Sequence, residues 1–327
     1  MIFKCNNCGS VMTYSPEHNA MYCEHCDSLE SQGVVTAENM SSCVNCGAPI
    51  EVGPVTSASK CEHCGCYMVF EERISGEYTP HMVIPFKIGK EQAKGAIKAH
   101  VGKNIFVPNS FLKESYLDKV EGIYVPFWMY DYDANYDYHG IGKIIRSWTS
   151  GNTEYTETSI YDVHRNMDID FDLIPVDASA KMVDKTMDLM EPYNYSALEV
   201  FQAKYMSGFN GEIYNFSADE LELRAREKAQ KYSDMLMTET LAGYTINEPT
   251  SKNLTLNPAA RNYALLPVWR YTYFYRDKNY EFYINGQTGK MVGDVPTSKK
   301  LKFGYFGIAF ALFTLGLYLL WYLLEVL

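Results

Sequence analysis

No cysteine follows residue 66 in this chain of 327 residues, although Cys66 is the ninth. A disulfide framework spreads its cysteines through the fold it staples. Confinement to one corner excludes that arrangement and points to metal ligation in a reducing compartment. Positive charge is scarce as well. The net charge is −11, and residues 1–75 carry three basic side chains (Lys4, Lys60 and Arg73) against nine acidic ones. Phosphate binding needs the opposite sign, so nucleic acid is not an expected partner. The opening residues Met1, Ile2, Phe3, Lys4 and Cys5 lack the apolar core of a secretory signal.

Catalytic signatures are missing too. The stretch Gly286-Gln287-Thr288-Gly289-Lys290 has Ile284 where a phosphate loop needs its first glycine, and Met291 where it needs Ser or Thr. Asn285-Gly286 reads instead as a hairpin turn. Asp131, Asp133 and Asn135 have calcium-loop spacing, but Tyr136 and Gly142 occupy the positions that require Gly and Glu. His81, His100, His139 and His164 show no HExxH spacing, and no nucleophile elbow is present. The chain reads as a non-enzyme with no catalytic residue.

What is present is a repeat. The pairs Cys5/Cys8 and Cys23/Cys26 recur, shifted by 38 residues without a gap, as Cys43/Cys46 and Cys61/Cys64. Their surroundings repeat as well: Cys23-Glu24-His25-Cys26 matches Cys61-Glu62-His63-Cys64. Each Cys-x-x-Cys turn can present two sulfurs to one ion, and a second turn completes a closed tetrahedron. The metal ligands are therefore expected to be Cys5, Cys8, Cys23 and Cys26 for one ion and Cys43, Cys46, Cys61 and Cys64 for a second. Zn²⁺ in two structural sites is the expected cofactor, and a rubredoxin-like iron site uses the same ligands. Four sulfurs leave no open position, so neither ion should be catalytic. His25 and His63 lie inside the knuckles and should point outward. Cys66 is left over as a reduced structural thiol.

The other long feature is apolar. Phe303 to Leu324 are 22 residues without a charge, about 33 Å as a helix and enough for a bilayer core of about 30 Å. Tyr305, Trp321 and Tyr322 sit near its ends, as interfacial anchors do. Lys299, Lys300 and Lys302 precede it and only Glu325-Val326-Leu327 follow. The positive flank places the bulk of the chain in the cytoplasm, on a tail anchor inserted after translation.

Between these ends the pattern is α+β. Residues 90–101 read as a helix with Ala93, Ala96, Ile97 and Val101 on one face. Tyr130, Tyr132, Ala134, Tyr136 and Tyr138 then alternate with Asp131, Asp133, Asn135, Asp137 and His139. Period two predicts a strand with a buried aromatic face and a wet acidic one. Pro126-x-Trp128-x-Tyr130-x-Tyr132 recurs 141 residues later as Pro267-x-Trp269-x-Tyr271-x-Tyr273, running through a turn at Asp277-Lys278-Asn279 into Tyr280–Ile284. Capping boxes at Ser217/Glu220 and Ser196/Glu199 predict two more helices.

The expected fold is α+β: two small zinc ribbons, a duplicated helix-plus-antiparallel-sheet domain, and one transmembrane helix. Its boundaries are ribbon 1 at 1–30, a linker at 31–40, ribbon 2 at 41–71 and a linker at 72–80. A tyrosine-rich domain follows at 81–298, with modules near 81–175 and 195–298, and the membrane helix at 301–324.

The ribbons Cys5-Asn6-Asn7-Cys8-Gly9 and Cys43-Val44-Asn45-Cys46-Gly47 resemble bacterial TFIIB-type zinc ribbons. The segments Gly122–Trp128, Leu265–Trp269 and Ile284–Lys290 are similar to a family of bacterial zinc-ribbon membrane proteins of the YdjG type. Some members bear names borrowed from the primosomal replication-restart helicase. This chain has no Walker motif, so that name does not transfer. The resemblance implies phage-shock-type or flotillin-like membrane proteins as partners, and a place in envelope-stress assemblies. It supplies no catalytic residues. This chain carries two ribbons, unlike single-ribbon members. The expected function is a zinc-binding membrane adaptor that holds proteins at the cytoplasmic face. The alternative is a membrane-tethered, nucleic-acid-binding zinc-ribbon protein.

Overall fold

The structure is a computed structural model and describes residues 1–36, 41–108 and 110–326. The cysteine-rich region contains β1 (Ile2–Cys5), β2 (Thr13–Ser15), β3 (Ala20–Tyr22), β4 (Gln32–Val35), β5 (Thr56–Lys60) and β6 (Tyr67–Val69). The first half of the tyrosine-rich region adds β7 (Met82–Val83), α1 (Lys90–Val101), α2 (Glu114–Leu117), β8 (Glu121–Ser150), β9 (Thr153–Asp177) and α3 (Asp184–Met190). Then come β10 (Glu199–Val200), β11 (Asn210–Glu212), α4 (Ala218–Thr240), β12 (Ile246–Tyr275), β13 (Lys278–Asn285), β14 (Met291–Val292) and α5 (Lys299–Val326).

Alternating aromatic residues draw β8 and β12 into strands of 30 residues each, about 100 Å long at ~3.3 Å per residue. With β9 they form an antiparallel ribbon, β8 in the middle. So long a ribbon has to bend, and its register shifts at Pro249/Ser251 and Pro258/Ala260 on β12. Proline, which has no N–H to donate, is tolerated at such bulges. The alternation holds: Tyr130, Tyr132, Ala134, Tyr136 and Tyr138 are buried. Ala225, Ala229 and Met237 of α4 pack over that face. Ser217 and Glu220 close the capping box that starts α4. Nearer the base the odd positions are covered too, and Ile123, Val125, Phe127 and Met129 pack with Met187 and Met190 of α3.

The two Pro-x-Trp strands lie side by side. Val125 pairs with Leu266, its counterpart 141 residues later. On the outer edges, β7 runs parallel to β12 with Met82 opposite Ala264, and β11 runs parallel to β8 with Asn210 opposite Ile123. The tryptophans are placed in the same reciprocal way. Trp269 Nε1 donates to Ile88 O at 2.8 Å, just before α1, and Trp128 Nε1 donates to Phe216 O at 3.0 Å, just before α4. Each half thus clamps the helix start of the other half with its own long strand.

Three expectations need correction. Ser196 and Glu199 start no α-helix; Asn194 caps a short 3-10 turn at Tyr195–Ala197, and Glu199–Val200 pairs with β7. The Glu199 carboxylate accepts from the Tyr205 hydroxyl instead of reaching back to the Ser196 amide. The β12–β13 hairpin turns one residue early, at Arg276 and Asp277 with φ of 50° and 59°, so Lys278 and Asn279 already lie in β13. The stretch 31–40 holds ordered strand, because β4 supplies the antiparallel partner of β1; residues 37–40 lie outside the described residues. The hairpin expected at Asn285-Gly286 is present, with Asn285 Oδ1 accepting from the amides of Gln287 and Thr288 at 2.9 Å each.

The second ribbon extends the main sheet. β5 pairs with β11 on one side and β6 on the other, giving the order β10-β7-β12-β8-β11-β5-β6. The first ribbon packs Met12, Tyr14 and Met21 into the cluster of Tyr205, Met206 and Phe209. At the other end α5 is long and apolar enough to cross a membrane. Its large apolar side chains from Phe303 to Leu324 are exposed, and its base is held by Ser298 N donating to Phe106 O at 2.7 Å.

Replacing Trp269 with Phe keeps most of the ring but leaves the Ile88 carbonyl without its donor. Urea unfolding of the detergent-solubilised chain should show a loss of about 1–3 kcal/mol. Trp128→Phe should cost less, since the Phe216 carbonyl is open to water.

Candidate metal centres

Four turns of one design build both sites. In each, the first cysteine's N–H donates to the carbonyl five residues on: Cys5 to Ser10, Cys23 to Ser28, Cys43 to Ala48 and Cys61 to Cys66, all at 2.8–3.0 Å. The residue four positions on returns an N–H to that cysteine's carbonyl, and it adopts a left-handed backbone. Glycine fills that position three times, as Gly9, Gly47 and Gly65 with φ of 73–76°. Asp27, with φ 58°, fills the fourth. A Cβ added at Gly9 or Gly47 would meet open space, so glycine is favoured there for its backbone freedom.

These turns bring the expected ligands together. The sulfurs of Cys5, Cys8, Cys23 and Cys26 all lie within 4.8 Å of one another, and so do those of Cys43, Cys46, Cys61 and Cys64. The cross-pair separations are 3.6 Å for Cys5 and Cys26, 3.5 Å for Cys8 and Cys23, 3.7 Å for Cys43 and Cys64, and 3.9 Å for Cys46 and Cys61. A tetrahedron with metal–sulfur bonds of about 2.3 Å has edges of about 3.8 Å. Both groups therefore fit one ion each. The first cysteine of every pair is buried and the second is exposed.

Backbone amides prepare the sulfurs for charge. Asn7 and Cys8 amides bond to Cys5, and Asn45 and Cys46 amides to Cys43, and with their thiol neighbours they bring both thiols down against burial; at Cys23 burial outweighs the His25 and Cys26 amides and pushes the thiol up to about 11. Four thiolates around a divalent ion carry a formal −2, which such dipoles offset. The Ser10 hydroxyl and then its amide bring Cys8 down to about 6. Burial opposes ionisation of Cys64, yet the Cys66 amide and thiol bring it to about 6 as well. His25 and His63 are exposed on their knuckles, and the His18 ring stacks on Tyr22 at 4.4 Å.

Sequence reasoning underrated Cys66. Its sulfur is buried, 3.5 Å from Cys43 and 3.4 Å from Cys64. Burial pushes its thiol up, keeping it protonated beside the cage. The same 38-residue shift was enough to find its counterpart: Ser28, whose hydroxyl lies 3.1 Å from Cys26 Sγ. One ribbon caps its cage with O–H and the other with S–H.

No family model matches the chain, and no solved structure matches it. YdjG of Bacillus subtilis (strain 168), an uncharacterized protein, is 35% identical over 319 residues, which is 94% of each chain. The chain belongs to the YdjG family.

Cys61→Ser should lower metal content from two equivalents to one, measured by elemental mass spectrometry on the purified chain. Cys66→Ser, which copies the first ribbon, should leave both.

Proposed function

We propose that this chain is a non-enzymatic adaptor that binds two structural Zn²⁺ ions and is anchored in the cell membrane by α5, with its bulk in the cytoplasm. The observation that carries the reading is the pairing of two closed four-sulfur cages with an uncovered apolar helix on one sheet-built body. Zn²⁺ is favoured because it has no redox role to play and suits closed sulfur sites that only hold structure. Lys299, Lys300 and Lys302 at the start of α5 support the cytoplasmic orientation. The knuckle sequences support a TFIIB-type ribbon.

The reciprocal placement of β7 and β11, of Trp128 and Trp269, and of the starts of α1 and α4 supports two related modules that exchange elements. The likeness to zinc-ribbon membrane proteins supports phage-shock-type or flotillin-like proteins as partners in an envelope-stress assembly. An anchor raises a partner's local concentration at the bilayer without tight contacts. The acidic net charge favours basic partner surfaces.

Removing residues 299–327 should move the protein from the membrane pellet to the high-speed supernatant while both metal equivalents stay bound. Purification of the full chain from detergent should recover a membrane-associated protein partner that the truncated form loses from membranes. Salt-sensitive retention of DNA or RNA, with no protein partner, would overturn the adaptor reading.

A further inference from the structure

Outside the sulfur cages, three potential ligands converge on the wet face of the long ribbon. His139 on β8 stands directly opposite His164 on β9, and their rings stack at 4.1 Å between centroids, 8° from parallel. Asp137 lies two residues earlier on β8, on the same face. One of its oxygens accepts from His164 Nε2 at 2.6 Å, and the other lies 3.4 Å from His139 Nε2. The three ligand atoms are all within 4.8 Å of one another. The His164 bond and burial act oppositely on Asp137, and the bond wins, holding its carboxyl below the ordinary range. Two nitrogens thus meet one ionised carboxylate.

The backbone beneath is fixed. β8 is hydrogen-bonded on both sides, to β9 at His164 and to β12 at Ser251 opposite His139. Ligands on such strands are held more firmly than ligands on loops. Metal–ligand bonds of about 2.0–2.2 Å place ligand atoms roughly 3–4 Å apart, which small side-chain rotations reach from here. All three groups are partly exposed, so water can complete the coordination.

The geometry points to a third metal site at Asp137, His139 and His164, open to solvent and suited to a late first-row divalent ion. Imidazole with one carboxylate suits Zn²⁺, Ni²⁺ or Cu²⁺ far better than Mg²⁺ or Ca²⁺. The ion takes the place of the proton that His164 Nε2 donates to Asp137; in the neutral ring that proton moves to Nδ1, which leaves the Nε2 lone pair for the metal. Unlike the sulfur cages, this site has three protein ligands and free positions, so its ion exchanges with the medium and can accept a further ligand. The site stands or falls independently of the adaptor reading.

The test is calorimetric titration of the full-length, detergent-solubilised chain with Zn²⁺, after both cysteine cages have been filled and free metal removed. One further equivalent is expected. The His139→Asn/His164→Asn double variant should bind it at least about tenfold more weakly, and Asp137→Asn should weaken it in the same direction. Co²⁺ in the same titration should broaden the ring signals of His139 and His164 and leave those of His81 and His100 sharp. No further equivalent, or an unchanged one in the double variant, overturns the proposal. So does broadening confined to other histidines. Each variant changes only partly exposed side chains, and circular dichroism confirms its fold before titration.

Discussion

The antiparallel ladder between β8 and β12 is the constraint from which the rest of the molecule follows. It runs from Ile246 opposite Lys143 to Arg270 opposite Glu121. Its base gives both halves a shared core, with Val125, Phe127, Leu266 and Val268 in one cluster. Its outer edges accept β7 and β11, and through β11 the second ribbon. α4 has a place to lie only because the ladder carries tyrosines on one face for so many turns of the pleat. A helix whose buried stripe is Ala225, Ala229, Ser233 and Met237 needs large partners opposite, and Tyr130, Tyr132, Tyr136 and Tyr138 provide them.

The metal centres and the domain solve different problems. A short cysteine-rich segment buries too little apolar surface to fold alone, and an ion held by each four-sulfur group would supply the missing free energy. The long-stranded domain has area enough, but its strands are so extended that local contacts cannot fix their register. Side chains with one permitted partner do that: the indole N–H groups of Trp128 and Trp269 each find a single carbonyl in the opposite half.

Much of this was legible in the sequence because it is periodic. The Cys-x-x-Cys spacing names the eight sulfurs that the fold gathers into two groups of four, period two names the buried tyrosines, and an uncharged run names α5. What stayed hidden depends on distance through space. Ser196 and Glu199 have capping-box spacing, yet the carboxylate is claimed by Tyr205, which no local pattern announces. The linker read at 31–40 is polar, but Gln32–Val35 becomes strand because β1 lacks a partner on that edge. The pairing of His139 with His164 depends on the register of a hairpin whose tip lies at 151 and 152. Periodicity predicts which face His139 occupies and says nothing of what stands across from it.

Continuity between the second ribbon and the main sheet ties two equilibria together. Cys61 follows directly on β5, whose Ala58 pairs with Gly211, and Gly211 in turn pairs with Tyr124 at the foot of β8. An ion bound in that cage would therefore be linked thermodynamically to the cohesion of the long ladder, by an amount that grows with the logarithm of free ion concentration. Loss of an ion from that cage would loosen the body of the molecule as well as one knuckle.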